Sequence, residues 1–280
     1  FEEDIGYTYE HQAVLVESGD AGDSFNYSPP ECDFVVRSDE FTPLIEISAS
    51  DIYQQAVVST KMLVPSNLDE RSKGISSTEL PVTLTIGLRR GSRVIDVAVH
   101  IENTVKSHRM CILLDAQMQT KFNFADEQFG SVVRENVHSK ELKLYETCID
   151  KDLDNTQSDL PTNWQQSSRS WQEVPISIEP TQSYVALSNG ARGIAILPKG
   201  VREYQIVGKE GEQISLTLFR TYGFMGKENL LYRPGRASGE KTIETPSAQL
   251  LGPLDFDLGI VVFAGSVDDG NIANEARSYD

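Results

Sequence analysis

The sequence has few cysteines, and they give no sign of a metal or redox site. Cys32, Cys111 and Cys148 form an odd, widely spaced set without a Cys-x-x-Cys pair, the pattern typical of zinc and redox sites. A reducing, cytoplasmic setting is the simplest interpretation, because disulfides persist mainly in oxidising compartments. Cys111 lies in a short apolar run, where a free cysteine behaves as a small core hydrophobe.

Long apolar runs and an excess of positive charge are also missing. No run approaches the roughly 20 apolar residues that a membrane-spanning helix needs. The formal net charge of −17 argues against nucleic acid and against an anionic membrane surface as partners. The first residues, Phe1 to Asp4, include no initiator Met and no basic or apolar region of a signal peptide. From this start we expect a processed chain or a fragment.

The familiar catalytic and metal-binding motifs are absent as well. The sequence contains no Gly-x-Ser-x-Gly, no Walker loop and no dinucleotide fingerprint after a strand. None of the four histidines stands at a metal-ligand spacing: His11, His100, His108 and His138. His100 lies on an alternating strand, which favours a packed or half-exposed side chain over a metal ligand.

What the sequence does contain is a succession of short strand patterns. In Leu80–Leu88 every second residue is Leu, Val or Ile. This period of two predicts a half-buried strand. Arg89–Ser92 and Ser188–Arg192 predict hairpin turns, the second through its Asn-Gly pair. No convincing amphipathic helix of ten or more residues is present. The pattern predicts an all-β fold, a large antiparallel β-sandwich in a single domain over residues 1–280.

The predicted strands share β-branched or alternating apolar residues between turn signals. They are Gln12–Val16, Asp33–Arg37, Leu44–Ile47, Ala56–Val64, Leu80–Leu88, Arg93–Asn103, Met110–Leu114, Phe122–Phe124, Ser131–Arg134, Ile176–Ile178, Tyr184–Leu187, Gly193–Leu197, Ser215–Arg220 and Leu254–Phe263. Two polar stretches interrupt them. Ser66–Glu79 predicts a loop, and residues 150–172 predict a long surface connection.

One loop, Glu17–Pro30, is rich in Gly, Asp, Asn, Ser and Pro, which predicts an ordered loop rather than a strand or helix. Asp20 and Asp23 stand three apart in it, a spacing typical of turn formation. Too few further oxygen ligands are visible to predict a cation site. A hydrolytic pair would need two carboxylates across a bound sugar. Phe25 and Tyr27 are the aromatic residues of this loop.

The stretch Ser215–Gly252 begins as an alternating strand and continues into polar, glycine-containing sequence with a cluster of cations. These are Arg220, Lys227, Arg233, Arg236 and Lys241. Such a cluster is atypical of so acidic a chain. One interpretation is a solvated loop whose cations offset nearby carboxylates. The other is a loop that faces a site, since rigid scaffolds usually carry function on their loops.

Three stretches together resemble the C-terminal β-domain of glycoside hydrolase family 38, the α-mannosidases, and most of all the bacterial branch that includes mannosylglycerate hydrolases. Gly19–Pro30, GDAGDSFNYSPP, resembles the GDxGDxYxYSPP loop of that branch, with Phe25 where Tyr is commoner. Val99–Met110, VHIENTVKSHRM, is similar to a family strand that ends in KDHRLR, with Met110-Cys111 in place of Leu-Arg. Ser215–Gly252, with LFR, RPG and TPSAQ, resembles the third block. The blocks occur in the family's order.

The resemblance implies a galactose mutarotase-like super-sandwich that serves as the C-terminal domain of a larger, retaining glycosidase. It implies that the nucleophile Asp and a zinc ion belong to an N-terminal catalytic domain, so this chain is expected to hold no catalytic residue, metal or cofactor and to be inactive alone. Loops of the β-domain approach the catalytic cleft in the family. The cleft candidates are Asp20, Asp23, Phe25, Tyr27, Arg220, Arg233 and Arg236.

The implied partners are the chain's own N-terminal catalytic domain and an α-mannoside, with a homo-oligomer left open for the full-length enzyme. The basic cluster could pair with an anionic aglycone, since Arg suits carboxylate and phosphate. Two other hypotheses stay open. A stand-alone carbohydrate-binding β-sandwich would need an exposed aromatic platform, for which Trp164 and Trp171 are the obvious candidates. A purely structural domain would have loops that touch nothing catalytic.

Overall fold

The fold is built from two antiparallel β-sheets. The computed structural model describes residues 8–10, 12–136, 176–233 and 243–279. The six-stranded sheet has the order β10 (Ile178–Pro180), β13 (Glu203–Val207), β14 (Gln213–Arg220), β7 (His108–Asp115), β1 (Val14–Gly19) and β2 (Val36–Arg37). The nine-stranded sheet has the order β3 (Leu44–Ala49), β4 (Tyr53–Val64), β5 (Thr78–Arg89), β6 (Ile95–Asn103), β15 (Gly252–Ala264), β12 (Arg192–Pro198), β11 (Val185–Ser188), β8 (Phe122–Glu127) and β9 (Gly130–Glu135). The predicted all-β antiparallel architecture is confirmed.

The main apolar core fills the space between the sheets. Ile112 and Leu216 enter it from the six-stranded sheet, and Val97 and Leu258 from the nine-stranded sheet. Successive strand residues point to opposite faces, and β15 uses both of its faces. Every second residue from Leu254 to Val262 packs in or against the main core, whereas Val261 and Phe263 belong to a second cluster. This double use explains why the sequence of β15 is alternating in one half and continuously apolar in the other.

The second cluster lies under the C-terminal helix α2 (Ile272–Tyr279). Ile272 and Ala276 are four residues apart, so they share one face of the helix. Both are buried against the outer face of the nine-stranded sheet, in the same cluster as Val261 and Phe263. The helix thereby covers apolar strand residues that the main core cannot reach.

The two sheets differ in width, and the difference leaves one edge uncovered. The narrow edge strand of the six-stranded sheet, β2, lies against β4. The strand β3 lies one position further out in the nine-stranded sheet. All six residues of β3 are exposed. The core therefore ends near β4, and β3 extends beyond it.

Most predicted strands are present, with ends that shift by a few residues. Strand β13 was missed, although Tyr204 and Ile206 alternate in it as buried residues. In the predicted strand Asp33–Arg37, only Val36 and Arg37 form a strand, paired with β1. The predicted Asn-Gly turn is confirmed, since the amide of Asn189 donates to the carbonyl of Arg192 at 3.2 Å between β11 and β12.

The predicted loop Ser66–Glu79 is corrected by the structure, because it contains the short helix α1 (Leu68–Ser72) and the start of β5. The side chain of Asn67 accepts hydrogen bonds from the amides of Asp69 and Glu70, at 2.9 and 3.1 Å. These bonds satisfy amide groups that the first helical turn would otherwise leave unpaired. The helix carries the buried side chain of Arg71.

Three predictions fall on residues that the structure does not describe. The surface connection over residues 150–172, the two tryptophans Trp164 and Trp171, and Arg236 all lie outside the described ranges. The single-domain boundary at residues 1–280 stays a prediction. Among the described residues, helices are too short or too polar to cross a bilayer.

Candidate functional site

The candidate site is built by two loops that leave the same end of the six-stranded sheet. Strands β1 and β14 flank β7 and both run antiparallel to it, with Gly19 opposite His108 and Arg220 opposite Arg109. The chain segments that follow them, residues 20–30 and 221–233, therefore start side by side. We call these two segments the loop pair.

A β-bulge at the end of β14 sets the direction of Arg220. The register with β7 shifts between Thr217 and Phe219, so Leu218 and Phe219 both pack in the main core although they are consecutive. In an unbroken alternation Arg220 would face the core together with Leu218. The extra residue instead turns Arg220 to the outer face, where it meets the other loop; bulges are known to re-aim side chains in this way.

Asp20 is buried, and both of its carboxylate oxygens accept hydrogen bonds. One carboxylate oxygen accepts from the amide of Gly22 at 2.8 Å, and the other accepts from Nε of Arg220 at 2.7 Å. Burial raises the pKa of Asp20, and the charge and hydrogen bond of Arg220 offset this only in part. The Arg220 guanidinium also donates to the carbonyl oxygen of Asp23 at 3.2 Å. Arg220 thus connects both aspartates to the end of β14.

Asp23 is the second buried carboxylate of the loop pair. Its Oδ1 accepts from the amides of Phe25 and Asn26, both at 3.0 Å. Its Oδ2 accepts from the amide of Lys227 at 2.9 Å and from the buried guanidinium of Arg233. Burial raises the pKa of Asp23, but the hydrogen bonds, that from Arg233 above all, outweigh burial and hold the pKa below its usual value. Asp23 is therefore held as a carboxylate.

Lys227 and Asn26 complete the connection between the loops. Lys227 Nζ donates to the carbonyl oxygen of Ala21 at 2.7 Å, and burial lowers its pKa. Asn26 Oδ1 accepts from the second terminal nitrogen of Arg233. Each loop thus satisfies buried polar groups of the other, as buried charges require.

Gly22 marks the tightest point of the loop pair. A Cβ atom at this position would lie 2.1 Å from the carbonyl oxygen of Asn26 and 2.8 Å from Oδ1 of Asp20. No side chain fits without moving the backbone. The glycine between the two aspartates is therefore required by the close approach of backbone to backbone.

Tyr27 lies between two guanidinium groups on the outer face of the six-stranded sheet. Its ring centroid is 4.8 Å from Arg109 Cζ and 5.6 Å from Arg220 Cζ, and it meets the ring of Tyr232 edge-on at 6.1 Å. Burial raises the pKa of Tyr27 to about 12. Arg109 is held in place by hydrogen bonds to Thr217 Oγ1. Cations over an aromatic face are attracted to it. Arg109 and Arg220 therefore hold the Tyr27 ring in place, and the ring supports the loops.

The exposed residues of the loop pair include three large apolar side chains. Phe25 is 55% exposed, and Met225 and Leu231 of the other loop are 38% and 55% exposed. Ser24 Oγ donates to the carbonyl oxygen of Met225 at 2.6 Å, which joins the two loop tips. The arrangement offers an exposed aromatic residue on an immobilised base, and its two buried carboxylates, Asp20 and Asp23, accept internal hydrogen bonds.

A buried cluster lies beneath the loop pair at the inner side of the sheet. Arg71 pairs with the buried Glu17 and, at 3.0 Å, with Asp33, whose side chain is partly exposed at the edge of the cluster. His108 Nδ1 lies 3.4 Å from Glu17, and His108 Nε2 lies 3.0 Å from Oδ1 of Asn103. Since the Asn103 amide nitrogen donates to two backbone carbonyls, its oxygen is an acceptor. His108 therefore carries a proton on Nε2.

The structure supports the interpretation of Asp20 and Asp23 as turn-formers, since both accept from amides two or three residues ahead. It also shows two of the cations, Arg220 and Arg233, offsetting Asp20 and Asp23 in largely buried pairs and not in a solvated loop. Among the described residues no group of three or more His, Cys, Asp or Glu side chains could hold a metal ion. The described residues therefore form no site for the zinc ion, which the resemblance assigns to an N-terminal catalytic domain.

Of the seven cleft candidates, the structure brings six together: Asp20, Asp23, Phe25, Tyr27, Arg220 and Arg233. Their role at a cleft stays a prediction. Sequence reasoning missed Arg109 as a member of this group, although the residue stands in the HRM stretch of the second family block. It also missed Arg71, which the Asn67 cap signal could have placed on a helix.

Comparisons with known proteins place the fold and the sequence in a family. The family model described as the C-terminal domain of glycosyl hydrolases family 38 matches residues 10–224. A provisionally assigned mannosylglycerate hydrolase from Halalkalibacterium halodurans is 24% identical, over 95% of this chain and 27% of that protein. An α-mannosidase from Enterococcus faecalis V583 superposes with a TM-score of 0.72 at 19% identity, over 98% of this chain and 28% of that chain. A glycosyl hydrolase family 38 protein from Enterococcus faecalis superposes with a TM-score of 0.72 at 18% identity, over 98% of this chain and 29% of that chain.

The superpositions identify the class of fold as the large β-sandwich present in those two solved structures. The family model covers well over half of the chain, and the chain belongs to glycosyl hydrolase family 38, of which it is a C-terminal domain. The resemblance carried by the three sequence blocks is confirmed. The chain spans little more than a quarter of the length of these relatives. The matched range includes Asp20 to Arg220 and ends before Arg233.

Proposed function

We propose that this chain is the C-terminal β-sandwich of a retaining α-mannosidase-type glycoside hydrolase. In this proposal it supports a catalytic domain that precedes it and lends the surface of the loop pair to the rim of the substrate cleft. The nucleophile, the zinc ion and the sugar subsite at the reacting bond belong to that catalytic domain, and the enzyme acts on mannosides in the cytoplasm. Membership of family 38 and the small share of each relative that the chain covers support the proposal.

The observation that carries the proposal is the buried cross-connection of the loop pair. Asp20 pairs with Arg220 and Asp23 with Arg233 across about 200 residues of sequence. Burying two carboxylates and two guanidiniums is costly unless their geometry is well matched. A rigid loop platform of this kind suits a site wall, because binding groups must be held in place by the residues around them. The platform presents Phe25 to solvent.

The structure bears on the hypothesis that the basic cluster binds an anionic aglycone. The charge of Arg220 is offset by Asp20 at 2.7 Å, and the charge of Arg233 by Asp23. Lys227 donates to a backbone carbonyl between the two aspartates. These three cations are used internally, so the proposal gives Arg220 a positioning role. Recognition of an anionic substrate group would have to come from residues outside the loop pair.

The proposal is tested first with Phe25→Ala in the full-length enzyme. Aromatic contacts contribute about 0.5–1.5 kcal/mol beyond area burial, so we expect kcat/KM on an α-mannoside to fall up to about tenfold. Phe129→Ala is the matched control, since Phe129 is a fully exposed phenylalanine in the β8–β9 turn. It should leave kcat/KM unchanged. Equal values for both variants would contradict a cleft position for Phe25.

The positioning role of Arg220 is separated from anion binding by comparing two substrates. Arg220→Ala should lower kcat/KM on a neutral and on a negatively charged mannoside by the same factor, because the loop platform is lost for both. A much larger loss on the charged substrate would support the anion hypothesis instead.

The alternative of a stand-alone carbohydrate-binding module is tested by calorimetric titration of the chain with mannosides. Binding by the chain alone, abolished in Phe25→Ala, would favour the module. Absence of heat in the titration, together with activity of the full-length enzyme, would favour the proposed domain role.

A further inference from the structure

The inner face of the nine-stranded sheet continues past the main core onto β3. Antiparallel registry places Ile45 beside Val58 of β4 and Leu84 of β5, and the next row joins Ile47, Ala56 and Ile86 in the same way. Directly opposed residues on neighbouring strands point to the same face. Leu84 is buried in the main core, and Val58 and Ile86 pack against it.

The outermost part of this face is apolar and uncovered. We call the side chains of Ile45, Ile47, Ala56 and Val58 the shelf. Ile45 is 55% exposed and Ile47 is 79% exposed, because the six-stranded sheet ends at β2 against β4. A contiguous exposed apolar patch commonly marks a surface that another unit covers.

The opposite face of the same strands has a different character. The row that begins at Glu46 continues through Val57 and Thr85 towards the exposed Ala98. The row that begins at Leu44 continues through Ser59 and Thr83, whose hydroxyls hydrogen-bond at 3.1 Å. That face of β3 and β4 thus mixes polar side chains with Leu44 and Val57, whereas the shelf is wholly apolar.

We propose that the shelf is the surface on which the remainder of a family 38 polypeptide docks onto this chain. This inference rests on the proposed function. The relatives are more than three times as long as the part that this chain matches, so most of such a polypeptide is available to cover the shelf. A second copy is the weaker candidate, because each chain carries a formal charge of −17 and like net charges oppose association. Covering the shelf also protects the edge of β3, which among the described strands pairs with β4 on one side only.

The test is cysteine labelling in the longest polypeptide that the gene encodes, with Cys32 and Cys148 replaced by serine. Ile47→Cys probes the shelf. Leu44→Cys is the matched control, because Leu44 lies on the same strand, points to the other face and is 65% exposed. We expect a maleimide to label residue 47 at least about tenfold more slowly than residue 44, as a covered site reacts only through local opening.

Each outcome bears on the inference. Equal labelling rates at the two positions would overturn it, and so would a gene that encodes no further catalytic region. Light scattering would show whether dilution produces the monomer. If the protection of residue 47 disappeared on that dilution, the shelf would bind a second copy, and the inference would be overturned. Ile45→Cys gives an independent reading if Ile47→Cys impairs folding.

The mannosidase activity of the same samples separates this inference from the proposed function. An active enzyme with equal labelling at residues 44 and 47 would overturn the docking surface and leave the proposed function standing. Protection of residue 47 in a polypeptide that hydrolyses no α-mannoside would support the docking surface and contradict the proposed function.

Discussion

Arg233→Ala is the perturbation that measures most directly what holds the loop pair together. Arg233 is buried, and its guanidinium donates to Asp23, Asn26 and the carbonyl oxygen of Lys227. Removing one partner of a buried ion pair costs roughly 3–5 kcal/mol. Asp23 would keep its bonds to three backbone amides, so we expect the lower end, about 3 kcal/mol.

The assay is urea unfolding at neutral pH, with thermal unfolding as a second readout. In a protein of this size each kcal/mol corresponds to roughly 2–4 °C in Tm, so the expected shift is roughly 6–12 °C. Arg37→Ala is the control, because Arg37 pairs with Asp39 at 2.9 Å where both side chains are about one-third exposed. Exposed pairs contribute about 0–1 kcal/mol. If both variants lost the same free energy of unfolding, the buried pair would not be what stabilises the loops.

The pH dependence gives an internal check on the same pair. The pKa of Asp23 is lower in the folded chain than in the unfolded one. The stabilisation from its carboxylate is therefore complete above the unfolded pKa of about 4 and is lost as the pH falls through the folded pKa. The difference in unfolding free energy between the wild type and Asp23→Asn should be constant above about pH 4 and should narrow below it. A difference that widened in acid would refute this assignment.

Two further predictions concern other positions. Gly22→Ala should destabilise the fold by about 1–3 kcal/mol, since the added Cβ would meet the Asn26 carbonyl oxygen. Gly223→Ala is the control and should have little effect, because its Cβ would meet the end of the Gln249 side chain at 3.4 Å. Equal unfolding midpoints for the two variants would contradict the steric argument. The Asp255 carboxylate accepts a hydrogen bond from Nδ1 of His100 at 2.7 Å and raises the pKa of His100, so NMR titration should give a value above 6.5 that falls in Asp255→Asn. The stabilisation from this pair is present below pH 6.5 and is lost as the pH rises through the folded pKa.

Much of the fold was predictable because strand residues alternate between the buried and the exposed face of a sheet, which gives the sequence a period of two. The clean alternation of Leu80–Leu88 and the Asn-Gly turn at residues 189–190 lead directly to paired antiparallel strands. The missed strand β13 alternates as well, but it has five residues and begins with Glu203. The local sequence pattern of a short strand that begins with a polar residue cannot be distinguished from that of a loop.

The candidate site was only partly predictable. Glycine and aspartate identify 20–30 as an ordered loop from local chemistry. The partners of Asp20 and Asp23 lie about 200 residues away, and a single sequence carries no local signal for such pairing. The direction of Arg220 depends on a bulge, which inverts the side expected from simple alternation.

The separation in sequence of the two ion pairs has a consequence for folding. Contacts of this kind form only after β1 and β14 have both joined β7, because closing so long a loop costs entropy that nothing local repays. We therefore expect the loop pair to be among the last features to assemble. Interactions that are absent from the folding transition state act on the rate of unfolding and hardly on the rate of folding. We therefore expect substitution of these aspartates and arginines to speed unfolding more than it slows folding.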